Sequence, residues 1–187
     1  MVQAAGPREI AAEWAVFERA REGEAVAWRE LTSRHQPRLT ALVLFVTRSP
    51  AATDDVVQET FVRAMQARIK NHSGSVSGYL GTIAYRLAVK EAQRSRRNSD
   101  IEALDPPGLG PDQLEEMLSA ERDRQVAAAI ARLSREHREV LALRFYAGHS
   151  YEEIAALVGV PLGTVKSRIF HAVQACRKIL SAEGVLE

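Results

Sequence analysis

The sequence predicts an all-α protein: two small helical domains joined by a flexible acidic linker, the C-terminal domain a helix-turn-helix. Three observations lead there. Aromatic residues make up only 6% of the chain against 46% apolar overall, with Ala, Leu and Val plentiful and no run that alternates as a strand for long. Glycine and proline gather at a few places instead of being scattered, which punctuates the chain into long helical stretches. The net charge is only +1, yet charge is sorted along the chain, with a basic stretch followed at once by an acidic one.

Composition also excludes functions. Cys176 is the single cysteine, so no disulfide within the chain and no cysteine-based metal site is possible. The five histidines show no metal-ligand spacing, and neither a metal nor any other cofactor is expected. The N-terminus lacks a secretory apolar core. The apolar run Leu39 to Val46 is too short to span a bilayer, so a cytoplasmic protein without membrane insertion is expected. No Ser, Cys or Lys has a base at motif spacing and no paired carboxylates sit in a pocket motif, which argues against an enzyme.

The elements follow in order. Met1 to Pro7 reads as a tail. Ile10, Trp14, Phe17 and Ala20 give an amphipathic helix from about Arg8 to Glu22, ended by Gly23. A second helical pattern starts near Glu24, with Trp28, Leu31, Leu39, Leu42, Val43 and Val46 inward and Pro37 marking a kink or break. Ser49-Pro50 is a turn. Thr53 is the expected cap of the next helix, in which Val57, Phe61, Ala64 and Met65 form a buried stripe. Asp55, Gln58, Glu59, Val62 and Arg63 make another face, which charge pattern alone would leave simply solvated. Lys70 to Gly78 is a polar loop, and Ser77 can cap a helix from about Gly78 to Arg97. Leu80, Ile83, Ala84, Leu87 and Ala88 are its core side. Arg86, Lys90, Arg94, Arg96 and Arg97 make its second half basic, and Tyr79 and Tyr85 are read as exposed aromatics near its start. Cations that follow phosphates and rings that stack bases suit unpaired nucleic acid, although cations also favour a helix C-terminus for its dipole alone.

From Ser99 to Glu121 there is no Lys or Arg, and Pro106, Pro107, Gly108, Gly110 and Pro111 stop regular structure. Domains are therefore expected at residues 8–98 and 114–182, with a linker at 99–113. Helices are expected from about Leu114 to Arg132 and then from a Ser134 cap to Gly148, the latter packed by Val140, Leu141, Leu143 and Phe145. In His149 to Leu180, Ser150 and Glu153 form a capping box, Gly159 ends one helix, and Pro161 suits the first position of the next. Val165, Ile169, Ala172 and Cys176 line one side of that last helix. Thr164, Lys166, Ser167, Arg168 and His171 fall mostly on other sides near its start, where a recognition helix meets base edges. Arg168 is the candidate for a bidentate guanine contact and Lys166 for a phosphate.

The stretches DDVVQETFVRAM, GYLGTIAYRLAVKEAQRSRR, the acidic linker, SYEEIA and VPLGTVKSR stand in an order that resembles the extracytoplasmic-function group of bacterial sigma factors, over about Ala27 to Leu180. The resemblance implies roles. Asp55, Gln58, Glu59, Val62 and Arg63 would dock on core RNA polymerase. Asn71, His72, Ser73, Ser77, Tyr79, Tyr85, Arg86 and Lys90 would capture the melted −10 element, with a base taken from the stack by the loop. Thr164, Lys166, Ser167, Arg168 and His171 would read the −35 element, and the acidic linker would thread into the polymerase. An anti-sigma protein is the implied regulator and promoter DNA the implied substrate. The chain departs from the group where Trp is common (Tyr79), at an Arg-Asn pair (Tyr85, Arg86), at a common Asp (Lys90), and at two frequent Arg positions (His171, Val173). The rival reading is a stand-alone helix-turn-helix regulator without stable polymerase binding, which would need a dimer surface that the sequence does not display.

Overall fold

A computed structural model describes residues 6–67, 74–98 and 121–185. Every regular element among them is a helix: α1 (Pro7–Arg21), α2 (Ala25–Thr47), α3 (Pro50–Gln66), α4 (Val76–Asn98), α5 (Glu121–Ala131), α6 (Arg135–Phe145), α7 (Tyr151–Val158) and α8 (Leu162–Ala182). The expected tail end, the polar loop 68–73 and the linker lie outside the described residues, as does the expected helical stretch from Leu114 to residue 120.

The first four helices form one bundle. α2 lies against α1, α3 and α4, and α4 also packs on α3. Phe17, Leu31, Leu42, Leu44 and Leu80 are fully enclosed there. α2 runs unbroken through Pro37, so of the expected kink or break the break does not occur. Pro37 and Ser33 are both exposed, so the carbonyl that the proline cannot serve faces water. α3 begins one turn earlier than a Thr53 cap would allow. Ser49 is the cap, its Oγ accepting from the Ala52 amide at 3.3 Å, with Pro50 in the first turn. Thr53 is buried inside the helix and donates to the Ser49 carbonyl at 2.8 Å. Likewise Ser75, not Ser77, serves the start of α4: its Oγ accepts from the Gly78 amide at 3.0 Å. Trp28 and Phe145, expected inside, keep 37% and 45% of their surface.

In the C-terminal half, α6, α7 and α5 all pack on α8 around Val140, Leu143, Ile154 and Val165. The two halves also touch. α6 lies along α2, and buried side chains from both halves join in a single apolar cluster. Phe45 of α2 and Tyr146, just past α6, meet with ring centroids 5.5 Å apart.

Candidate nucleic-acid and polymerase interfaces

The helix-turn-helix is built locally. The Glu153 amide donates to Ser150 Oγ at 3.1 Å, and the Ser150 amide to Glu153 Oε2 at 2.7 Å. This reciprocal cap satisfies two amides that no helix carbonyl can reach. Gly159 ends α7 at φ 75°, where a side chain would be strained. The Ala155 carbonyl then accepts from both the Gly159 and Val160 amides. Pro161 is the cap of α8 and not its first residue, its carbonyl accepting from the Thr164 and Val165 amides.

Val165, Ile169 and Ala172 bury one side of α8. Lys166, Ser167 and His171 are exposed, and Thr164 is half-buried. Arg168 falls three residues after Val165 and four before Ala172, so it flanks the buried side and is itself half-buried. Its guanidinium charge reaches Glu136 in the first turn of α6. That carboxyl is held below its ordinary value mainly by its own backbone amide and the Ser134 hydroxyl, with Arg168 and Arg135 adding to the effect. Phe170 shares the exposed side with Lys166 and His171, keeps 60% of its surface, and meets the His171 ring at 5.4 Å. Sequence reasoning passed over Phe170, yet the signal was there: it lies off the Val165–Ile169–Ala172 stripe. Cys176 is half-buried among apolar neighbours, which push its thiol up to about 11 and away from reactivity.

α4 presents a different picture. Tyr85 is buried, not exposed, and its hydroxyl donates to Glu139 Oε1 of α6 at 2.6 Å. Burial first, and the Glu139 carboxylate after it, hold that hydroxyl well above its ordinary value. Tyr79 is half-buried against Trp14 and Phe17 of α1, with ring centroids 5.6 and 5.8 Å away. Its hydroxyl is enclosed without a hydrogen-bond partner among the described residues, and burial raises its pKa too. Neither tyrosine is therefore the exposed stacking ring expected from sequence. The reason is the same for each: another element, α6 or α1, covers the side of α4 on which it stands.

That cover is close. A Cβ added at Gly81 would stand 2.4 Å from the Ala147 Cβ and 3.1 Å from His149 Cε1. The Ser77 hydroxyl donates to the Ala147 carbonyl at 3.3 Å. Thr82 Oγ1 and His149 Nε2 lie 2.9 Å apart. Because the Thr82 hydroxyl donates to the Gly78 carbonyl at 2.9 Å, the imidazole is the donor in that contact. His149 is buried, its Nδ1 has no hydrogen-bond partner among the described residues, and burial holds its pKa below the ordinary 6.5. Sequence reasoning missed Gly81, Thr82, Glu139 and His149. Only Gly81, a glycine in mid-helix, gave a signal.

Arg86 and Lys90 lie on exposed sides of α4, while Asn71, His72 and Ser73 lie outside the described residues. On α3, Asp55, Gln58, Val62 and Arg63 are exposed and Glu59 half-exposed, with an Arg63 Nε to Glu59 Oε1 ion pair at 2.6 Å. Asp55, Glu59 and Arg63 share an open cleft of about 650 Å³ with Lys90, Glu91 and Arg94 of α4. Among the described residues no group of His, Cys, Asp and Glu could hold a metal ion, and no helix is long and apolar enough to cross a membrane.

A capped helix-turn-helix with an exposed polar side on its second helix, attached to a helical bundle, defines the class as a DNA-binding protein. Comparison with known proteins narrows this. Residues 31–98 match the family described as Sigma-70 region 2, and residues 123–176 match Sigma-70, region 4. The chain is 34% identical over 169 residues to the ECF RNA polymerase sigma factor SigL of Mycobacterium tuberculosis, covering 89% of this chain and 96% of that one. It is 35% identical over 176 residues to the ECF RNA polymerase sigma-E factor of Haemophilus influenzae, covering 84% and 89%. The fold is shared with CnrH in complex with the cytosolic domain of CnrY (TM-score 0.58, 24% identity, 91% of this chain and 98% of that one). It is also shared with the sigma factor RpoE in complex with the anti-sigma factor NepR from Bartonella quintana (TM-score 0.57, 23% identity, 82% and 96%). The chain belongs to the extracytoplasmic-function group of RNA polymerase sigma factors, alternative sigma factors that direct the polymerase to promoters.

Proposed function

We propose that the chain divides this work among three surfaces, without catalysis of its own, in the cytoplasm where the polymerase acts. The exposed side of α3, with Asp55, Gln58, Glu59, Val62 and Arg63, docks on core polymerase. What supports this is an exposed, mixed face opposite a buried Val57–Phe61–Ala64 stripe, within the stretch that matches region 2. The start of α8 reads the −35 element as duplex through the major groove. Lys166, Ser167, Phe170 and His171 stand on its open side, where Phe170 can meet a thymine methyl and Ser167 a base edge or phosphate. Thr164 and Arg168 flank that side, and from there Arg168 is better placed for a phosphate than for a guanine edge.

Arg86 and Lys90, with the segment Asn71 to Ser77, handle the melted −10 strand. Tyr79 and Tyr85 act from behind as packing residues. The domains are assigned to 8–98 and 114–182, joined by the acidic linker 99–113. A partner of the anti-sigma class fits, because the solved RpoE structure named above holds a sigma factor with such a regulator.

The observation that carries the proposal is the coincidence of the region 4 match with an open recognition face. The test is titration of core polymerase. The wild-type chain should bind tightly, and Asp55→Arg should weaken binding at least tenfold, about 1.4 kcal/mol, with helicity intact. A folded Asp55→Arg protein with unchanged affinity contradicts the docking assignment. Failure of the wild-type chain to bind core would favour a stand-alone regulator.

A further inference from the structure

The cleft between α3 and α4 brings together residues that the proposed division of work gives to two different partners. Asp55, Glu59 and Arg63 line it from α3, and Lys90, Glu91 and Arg94 line it from α4. On α3 the three are four residues apart, as are Lys90 and Arg94 on α4, so each set forms a ridge with one turn between its members. Ala52, Val56 and Leu87 add apolar lining to the same cleft.

The charges there are unevenly satisfied. Arg63 Nε meets Glu59 Oε1 at 2.6 Å within α3. Arg94 Nη1 reaches Glu91 Oε2 at 3.9 Å within α4. Asp55 and Lys90 are left over. Both are exposed, and neither is within ion-pair distance of an opposite charge among the described residues. They carry opposite signs and stand on different walls of one opening of about 650 Å³. A lysine ammonium on its flexible four-carbon stem can turn toward a carboxylate or out to a phosphate, but one charge cannot serve both. The apolar lining sharpens that choice, because less water stands between the charges to screen them.

We propose that this cleft links the two bindings: Asp55 competes with the phosphates of the opened strand for Lys90, and polymerase docking on the α3 wall ends the competition. The inference rests on the assignment of the α3 face to polymerase and of Lys90 to the −10 strand. In the free chain the Asp55 carboxylate lowers the potential at Lys90, and with it the attraction for a phosphodiester. A polymerase surface that covers Asp55 with a cation of its own cancels that carboxylate, and Lys90 is left to the strand. Asp55 therefore acts on strand capture through Lys90, without touching DNA.

The experiment uses the full chain, alone and with saturating core polymerase. The probe is a single-stranded DNA oligonucleotide carrying the −10 element of a promoter identified by run-off transcription, and fluorescence anisotropy reads its binding. Asp55→Asn keeps the size of the side chain and removes its charge at an exposed position, where folding is not at stake. In the free chain it should tighten strand binding about two- to fivefold, the effect of one exposed charge pair. The gain should shrink as salt is raised, since exposed charges are screened. It should vanish when Lys90→Met is also present, and it should be absent in holoenzyme. Glu22→Gln makes the same change of net charge on an exposed residue outside the cleft and should leave strand binding at the wild-type level. If Lys90→Met by itself binds the strand like wild type, with and without core, the −10 assignment of Lys90 is wrong and the inference falls with it. If Lys90→Met is defective but Asp55→Asn binds no better than wild type, the competition alone is overturned. A gain that survives Lys90→Met, ignores salt or is matched by Glu22→Gln overturns it too, because the effect would not pass through the cleft. An equal gain in holoenzyme overturns the release by docking.

Discussion

The two helices assigned to promoter DNA, α8 and α4, are set in the fold in opposite ways. The recognition side of α8 stands open and is held by local devices: the Ser150–Glu153 cap, the left-handed Gly159, and the Val165–Ile169–Ala172 stripe. The side of α4 that carries Ser77, Gly81, Thr82 and Tyr85 lies under α6 and the turn at Ala147 to His149. Duplex can therefore meet α8 without rearrangement, while anything that needs that side of α4 must first part the two halves. A rigid helix in a groove tolerates a fixed surface; on α4 the exposed Arg86 and Lys90 stay reachable with the halves in contact, while Ser77 is fully reached only when they part. Several variants probe this contrast.

The largest effect should come from Gly81→Val. With 2.4 Å to the Ala147 Cβ, a larger residue cannot be accommodated with the halves in contact. Overpacking of this kind costs about 1–3 kcal/mol. The variant should populate a more extended form, seen as a larger radius in small-angle scattering, with the N-terminal bundle still folded. An unchanged radius would break the comparison from the covered side. Next in size, Phe170→Ala should weaken −35 duplex binding by about 1.5 kcal/mol, roughly tenfold, with no change in radius. Gel-shift titration of the holoenzyme on promoter duplex reads it, and intact binding would mean that the open side of α8 is not the reading side.

Tyr85→Phe is subtler. It keeps the ring and deletes the hydrogen bond to Glu139, worth about 1 kcal/mol to the contact between halves. Faster amide exchange in α6, without a change in α8, is the expected signature. The smallest effect is pH dependence through His149. Its neutral imidazole is enclosed by Thr82, Gly81 and the Gly78 backbone of α4, with Glu153 of α7 as the nearby acid and Arg144 Nη1 donating to its carbonyl at 2.9 Å. Its pKa is lowered in the packed form, so the packed form binds fewer protons. The stability that this contributes is present above the ordinary 6.5 and is lost as pH falls through that value toward the lowered one. The radius should grow modestly below pH 6.5, and His149→Gln, which cannot titrate, should flatten the response.

What could be read from the sequence sorts along the same line. The helix-turn-helix was legible because cap, stop and stripe lie within thirty residues and obey local rules. The α3 face was legible as a face, since its apolar stripe defines its opposite side. The ends of α3 and α4 were misplaced by a few residues because Ser49 and Ser75 compete with Thr53 and Ser77 for the same capping task. Tyr85 was misread for a different reason: its partner Glu139 is 54 positions away, and no periodicity announces a contact at that distance. The same holds for Trp14 with Gly74, 60 positions apart. Exposure of an aromatic on a helix is a tertiary property, and here α1 and α6 decide it.

The central claim is that α8 reads duplex and α4 acts on the opened strand. Abortive transcription by holoenzyme on fully paired promoter and on the same promoter with a mismatched bubble at −10 tests it most directly, using Phe170→Ala and the pair Arg86→Ala with Lys90→Ala. The bubble should restore most of the activity lost by the Arg86 and Lys90 variant, since the cost of opening is removed, and should leave the Phe170 defect unchanged. Restoration of the Phe170 variant by the bubble, with the α4 variant still as defective as on paired DNA, would contradict the account.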